Sequence, residues 1–133
     1  MAQQTMGGCQ CGAVRYAYEG ESREVTVCHC RDCQRQSGSA FGMSLFVPPE
    51  RFRLVQGRPV TFEVLCDSGR TKTCAFCPAC GTRIYHQGQG GISIKAGTLD
   101  DTSGLRPTPH YWTDRKQGWV QIPEGVSSFP DDG

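Results

Sequence analysis

Nine cysteines stand at positions 9, 11, 28, 30, 33, 66, 74, 77 and 80, and seven of them fall into three tight groups. The groups are Cys9-Gln10-Cys11, Cys28-His29-Cys30-Arg31-Asp32-Cys33 and Cys77-Pro78-Ala79-Cys80-Gly81. An odd count excludes complete internal pairing. Separations this short also make poor intrachain disulfides, because they close small strained rings and remove little chain entropy. Close thiolates are what a soft metal ion needs, since two sulfurs must converge on one centre from neighbouring backbone. The pattern therefore points to thiolate–zinc bonding in a reducing compartment, the cytoplasm.

Cys77 to Gly81 reads as a zinc knuckle: the turn brings both sulfurs to one side, and Gly81 permits the positive φ such a turn needs. A knuckle supplies two ligands, so a closed tetrahedral site needs another pair. Cys9 and Cys11, followed at once by Gly12, can provide it. Cys9, Cys11, Cys77 and Cys80 then form a structural Cys₄ site closing a loop of about 70 residues, where a cross-link constrains the unfolded chain strongly. Cys28, Cys30 and Cys33 remain as a separate set of three. Three readings of that set stay open. It is an open catalytic zinc site, a second closed site completed by Cys66 or Cys74, or a cluster containing a redox or merely buried thiol.

The elements that must carry these cysteines are short strands. Alternation places Val14, Tyr16 and Tyr18 on one side of a strand over Ala13–Tyr18, with Arg15 exposed between them. Further strands are expected over Glu24–Val27, Ala40–Val47, Phe52–Gln56, Val60–Leu65, Arg70–Ala75, Thr82–Tyr85 and Ile92–Ala96. Arg31–Ser37 reads as a turn or two of helix stopped by Gly38, and Asp67-Ser68-Gly69 as a hairpin turn. Gln87–Gly91 reads as a loop, Leu105–Trp119 as an irregular wrapping segment because of Pro107 and Pro109, and Ser127–Gly133 as a loose tail. No amphipathic helix of three or more turns, internal repeat or linker is visible. The expectation is one all-β, metal-stapled domain over residues 1–133.

Composition narrows the function classes. The 133 residues carry a formal charge of +1, which argues against nucleic acid or an anionic membrane as an electrostatic partner. No apolar run approaches the roughly 18 residues of a membrane span. Met1–Gly8 has neither a basic start nor an apolar stretch, so no secretory signal is expected. Seventeen glycines and eight prolines fit a chain of many turns.

Gly8-Cys9-Gln10-Cys11-Gly12-Ala13-Val14, Cys28-His29-Cys30-Arg31-Asp32-Cys33 and Phe76-Cys77-Pro78-Ala79-Cys80-Gly81 resemble the motifs of the glutathione-dependent formaldehyde-activating enzyme family, also known as the centromere protein V/Gfa domain. Ala96-Gly97-Thr98-Leu99-Asp100-Asp101 and Trp119 are similar to its C-terminal signatures, so the likeness runs from about Gly7 to Phe129. The resemblance implies a β-tent of small antiparallel sheets. It implies a structural zinc on Cys9, Cys11, Cys77 and Cys80 and a second zinc on Cys28, Cys30 and Cys33, two per chain. The implied activity is condensation of glutathione with formaldehyde to S-hydroxymethylglutathione, a carbon–sulfur lyase reaction run in reverse. Cys66 and Cys74 are extra to the seven transferred ligands, and Cys74 stands where a basic residue is expected.

On that reading a thiol, with glutathione the leading candidate, takes the fourth position at Cys28, Cys30 and Cys33, and the partners are a small thiol and a small aldehyde. His29, between two ligands, is expected either to pass a proton or, the plainer reading, to sit hydrogen-bonded behind the site. Arg31, Gln34 and Arg35 are candidates to meet glutathione carboxylates, against the default of exposed helical side chains. His86 and His110 are expected as packing or surface residues, Asp100-Asp101 as turn caps, and Tyr111, Trp112, Trp119 and Phe129 as core, one of them walling a substrate pocket. Two other classes compete: a non-catalytic zinc scaffold module, which here lacks a basic tail for chromatin, and a thiol redox or metal-handling protein.

Overall fold

A computed structural model describes residues 3–66 and 69–132. Among them the strands, in chain order, are β1 (Gln4–Gly8), β2 (Arg15–Glu19), β3 (Glu24–Cys28), β4 (Gly42–Val47), β5 (Phe52–Gln56), β6 (Val60–Leu65), β7 (Thr71–Phe76), β8 (Arg83–Gly88), β9 (Gly91–Lys95) and β10 (Arg106–Tyr111). One helix, α1 (Arg31–Ser37), lies between β3 and β4. The chain is mostly β, as expected, and among the described residues no helix is long and apolar enough to cross a membrane. The contacts divide it into two compact units, one within Met1–Ser22 and Phe46–Ser103, the other within Arg23–Leu45 and Gly104–Gly133.

The first unit holds a three-stranded sheet in the order β1-β2-β5 and the antiparallel run β9-β8-β7-β6. Tyr16 is its pivot. Its fully buried ring stacks on Phe52 at 5.5 Å, Phe52 meets Tyr85 at 4.8 Å, and its hydroxyl shares a 2.7 Å hydrogen bond with Thr98. Each such aromatic removes 150–250 Å² from water, which stabilises the unit more than any strand propensity does. Arg15 is half-buried and paired with Asp100, where the alternation had placed it in solvent.

Strand β1 escapes the sequence pattern because it carries no apolar alternation. Its Gly7 is demanded by packing: a Cβ there would stand 2.3 Å from the Tyr16 hydroxyl and 2.4 Å from the Thr98 carbonyl. The expected loop over Gln87–Gly91 shrinks to the tip between β8 and β9. Asp67 and Ser68 of the expected turn lie outside the described residues, while the hairpin around them is closed by Cys66 N–H donating to the Arg70 carbonyl at 2.8 Å.

In the second unit β3 pairs antiparallel with β4, Cys28 facing Gly42, and parallel with β10. Val25 and Val27 are buried between exposed Glu24 and Thr26, each contributing about 1.5–3 kcal/mol through apolar burial. That alternation fixes the register that delivers Cys28 to the strand end. Strand β10 corrects the expectation of an irregular Leu105–Trp119. Prolines are tolerated at bulges and edges, and here the ladder breaks between Pro107 and His110. The expected loose tail is also corrected. His110 N–H donates to the Ser127 carbonyl and Phe129 N–H to the His110 carbonyl, both at 2.9 Å, and Tyr111 stacks on Phe129 at 5.2 Å.

Candidate metal centre

Cys9 and Cys11 follow β1, and Cys77 and Cys80 follow β7, each pair on a turn closed by backbone. Gly12 N–H donates to the Cys9 carbonyl at 3.1 Å and Gly81 N–H to the Cys77 carbonyl at 2.8 Å. Both glycines sit in the left-handed region, φ 82° and 80°, which a side chain rarely enters. The four sulfurs lie within 4.8 Å of one another. Cys11 Sγ is 3.6 Å from Cys9 Sγ and 3.7 Å from Cys77 Sγ. A tetrahedron of Zn–S bonds near 2.3 Å has edges of about 3.8 Å, so the two separations at Cys11 match those of a zinc site.

The local electrostatics agree with thiolate ligands. Cys80 is pulled down to about 5, first by the Thr82 hydroxyl at 3.1 Å and then by the Thr82 and Cys11 N–H groups. For Cys9, burial opposes ionisation, but the Val14 N–H at 3.3 Å and the Cys77 and Cys11 thiols outweigh it, and the net shift is downward. At Cys11 the Ala13 N–H favours the thiolate, yet the sulfurs of Cys9, Cys80 and Cys77 hold it up at about 11. A cation at the centre removes that mutual repulsion.

The second set is carried on one stretch. Cys28 ends β3, Cys30 is the N-cap of α1, and Cys33 lies in its first turn. Their sulfurs also lie within 4.8 Å, and no other Cys, His, Asp or Glu ligand atom joins them among the described residues. Cys66 and Cys74 therefore stand outside both groups, Cys66 half-buried and Cys74 fully buried on β7. Cys33 N–H donates to Cys30 Sγ at 3.3 Å and Gln36 Nε2 to Cys33 Sγ at 3.4 Å. The Cys33 sulfur, then burial, pushes the Cys28 thiol far up, and burial pushes Cys30 up against the Cys33 N–H. Three negative sulfurs this close need a cation to coexist, so this set also fits a soft metal ion.

His29 is fully buried, its ring beside Phe41 at 5.4 Å and His110 at 5.1 Å, with Nε2 at 2.9 Å from His110 Nδ1. The imidazole is thus enclosed between these two rings. Burial, then His110 and Lys116, lower its pKa. His110 is thus its packing partner, and His86 is likewise buried, accepting from Arg83 at 3.0 Å. Asp101 caps its turn by accepting from Ser103 N–H at 2.9 Å, whereas Asp100 pairs with Arg15.

Arg31, Gln34 and Arg35 line one cavity of about 460 Å³, together with Gln117 and Trp119. Trp119, expected in the core, is 73% exposed. A buried indole usually needs an interior partner for its N–H, and here Nε1–H donates to Gln117 Oε1 at 2.7 Å on the surface. Gln36 lies on the cysteine helix itself, whereas Gln117 carries no sequence signal and reaches that helix only through the fold.

The chain is similar to a protein of Rhodobacter sphaeroides known from a crystal structure, with a TM-score of 0.57 and 21% identity over 77% of this chain and 91% of that one. That likeness speaks to the fold. Residues 4–115 match the profile described as "Glutathione-dependent formaldehyde-activating enzyme", which spans both cysteine clusters and α1. By that match the protein belongs to the glutathione-dependent formaldehyde-activating enzyme family.

Proposed function

We propose that the protein is a zinc-dependent enzyme of the carbon–sulfur lyase type, acting in the cytoplasm as one Gfa-like domain. It joins a thiol, glutathione foremost, to a small aldehyde such as formaldehyde. The observation that carries this reading is the three-cysteine set without a fourth protein donor among the described residues. Cys9, Cys11, Cys77 and Cys80 hold a structural zinc, and Cys28, Cys30 and Cys33 hold a second. Zinc on three thiolates has a net charge of about −1, so it is a weak activator of water but a soft acceptor that favours a substrate thiolate over the thiol.

In the reaction the thiol sulfur bonds to the carbonyl carbon, the C=O π pair moves to oxygen, and the thiol's proton ends on the new hydroxyl. The chain's own residues prepare it. The Cys33 N–H and Gln36 amide keep ligand sulfurs anionic, His29 backs the loop, and Arg31 and Arg35 orient substrate carboxylates through charge-assisted hydrogen bonds. The test is Cys30→Ser, with zinc measured by elemental analysis and S-hydroxymethylglutathione by NMR. We expect one zinc lost per chain and adduct formation lower by about a hundredfold or more. Unchanged zinc and unchanged turnover would refute the assignment.

A further inference from the structure

The cavity beside α1 has a wall that the cysteine chemistry does not explain. Trp119 is a large aromatic left in solvent, yet it is not loose: its Nε1–H donates to Gln117 Oε1 at 2.7 Å. Gln117 Nε2 in turn donates to Gln34 Oε1 at 3.2 Å. The buried Gln34 gives its own Nε2 to the carbonyls of His29 at 2.8 Å and Arg115 at 3.0 Å. Three side chains in series thus connect an exposed indole to the residue between Cys28 and Cys30. The turn carrying the indole is itself fixed, with Lys116 Nζ donating to the Val120 carbonyl at 2.7 Å and Val120 N–H to the Gln117 carbonyl at 3.0 Å. An aromatic surface held in place before a ligand arrives costs little ordering entropy on binding.

Charge points to the ligand. Arg31 and Arg35 line the cavity and no acidic side chain does. Two guanidinium forks match carboxylates, and an indole face suits peptide planes. At about 460 Å³ the cavity also falls within the range that takes small organic ligands.

We propose that Gln117 and Trp119 are specificity-determining residues: the cavity takes the carboxylate-bearing, peptide-like body of the thiol substrate against the Trp119 indole, and Gln117 keeps that wall in register with the cysteine loop. This rests on the thiol–aldehyde reading above.

The experiment separates docking from thiol chemistry by using S-methylglutathione, whose capped sulfur cannot become a thiolate. Zinc-reconstituted protein is titrated while Trp fluorescence and calorimetric heat are followed. Wild type gives a saturable fluorescence change, and Trp119→Phe, which retains Trp112, loses it. Affinity falls about tenfold in Trp119→Ala and about threefold in Gln117→Ala, and KM for glutathione rises by the same factors while kcat stays within about twofold. Wild-type calorimetric affinity in Trp119→Ala overturns the proposal, and so does a fall in kcat without a change in KM, which marks a purely structural role for the wall. If S-methylglutathione binds in a Trp119-dependent way but no adduct forms with formaldehyde, the binding site stands and the reaction assigned above fails.

Discussion

The two cysteine clusters are both fit for a soft metal ion, but they draw their sulfurs from the chain in opposite ways. The four-cysteine group draws one pair from the turn after β1 and another from the turn after β7, so a bound ion ties together two segments far apart in the chain. The three-cysteine group comes from six consecutive residues whose placement is already secured by the β3–β4 ladder and by the cap of α1. Removing an ion from the first cuts a cross-link; removing it from the second leaves strand and helix with their own hydrogen bonds. On the proposed function the number of ligands follows the same division. A site that only holds can be closed, whereas a site that acts must keep a place for something else.

The largest effect should come from breaking the cross-link. Treated as loop closures, the segments 9–77 and 28–33 differ by about a factor of two in the entropy they remove, roughly 4 against 2 kcal/mol. Cys77→Ser should therefore lose about 4 kcal/mol of unfolding free energy in urea titrations of zinc-loaded protein, and Cys30→Ser about 2. Equal losses, or the reverse order, would mean that the three-cysteine loop is as architectural as the knuckles.

A second, smaller effect sharpens the contrast through pH. His86 lies on β8, the strand that follows the second knuckle, and is pushed down to about 3 by burial first and then by Lys95, Lys72 and Arg83. The folded state keeps it neutral, while the unfolded chain binds a proton near pH 6.5. Stability from this group is complete above pH 6.5 and drains away as pH falls toward 3, at up to about 1.4 kcal/mol per unit. His86→Phe should flatten the stability profile between pH 6.5 and 5 relative to wild type, measured by urea unfolding at each pH. Zinc loss on acidification is common to both proteins and cancels in the difference. Parallel profiles would show that His86 is not the group that makes this unit acid-sensitive.

The cysteine grouping was legible from sequence because metal ligands obey spacing rules that the fold must respect, whereas ligand counting suggested the partnership of Cys9 and Cys11 with Cys77 and Cys80 without fixing it, and only the fold brings those four sulfurs together. Strands β2 to β9 were legible from alternation and turn residues. Strands β1 and β10 were not, for two physical reasons. Gly7 is required by its close approach to Tyr16 and Thr98, and Gly8 by its close approach to Val14 and Arg15, and neither leaves a hydrophobic signature. The prolines of β10 argue against a strand until a parallel partner with a broken ladder accepts them. The surroundings of the second cluster were half hidden. Arg31, Gln34 and Arg35 adjoin Cys33 in the chain, but Gln117, Trp119 and His110 reach its surroundings only through the fold, and none of the three stands at a spacing that ties it to the cysteines. Exposure of Trp119 likewise depends on where its N–H finds a partner, which composition cannot say.

The smallest expected effect concerns Arg15 and Asp100, which brace β2 against the segment after β9 in the unit that holds the knuckles. Arg15 Nη1 donates to Asp100 Oδ1 at 2.9 Å and Nη2 to Oδ2, a two-point fork that is stronger than a single contact. The guanidinium holds the Asp100 carboxyl below its ordinary value of 3.8, the hydrogen bond contributing most. Asp100 is about half exposed, so solvent screening limits the pair to roughly 0.5–1 kcal/mol. Because the folded-state pKa is depressed, that contribution is present above pH 3.8 and disappears as acid protonates the carboxylate. Asp100→Asn should thus cost about 0.5–1 kcal/mol at pH 7, a penalty that fades as pH falls below 3.8 through the lower folded-state value and that shrinks in high salt. A penalty that persists unchanged in acid would assign the loss to the shape of the side chain and not to its charge, and the knuckle unit would then owe its cohesion to the metal cross-link and the Tyr16 core alone.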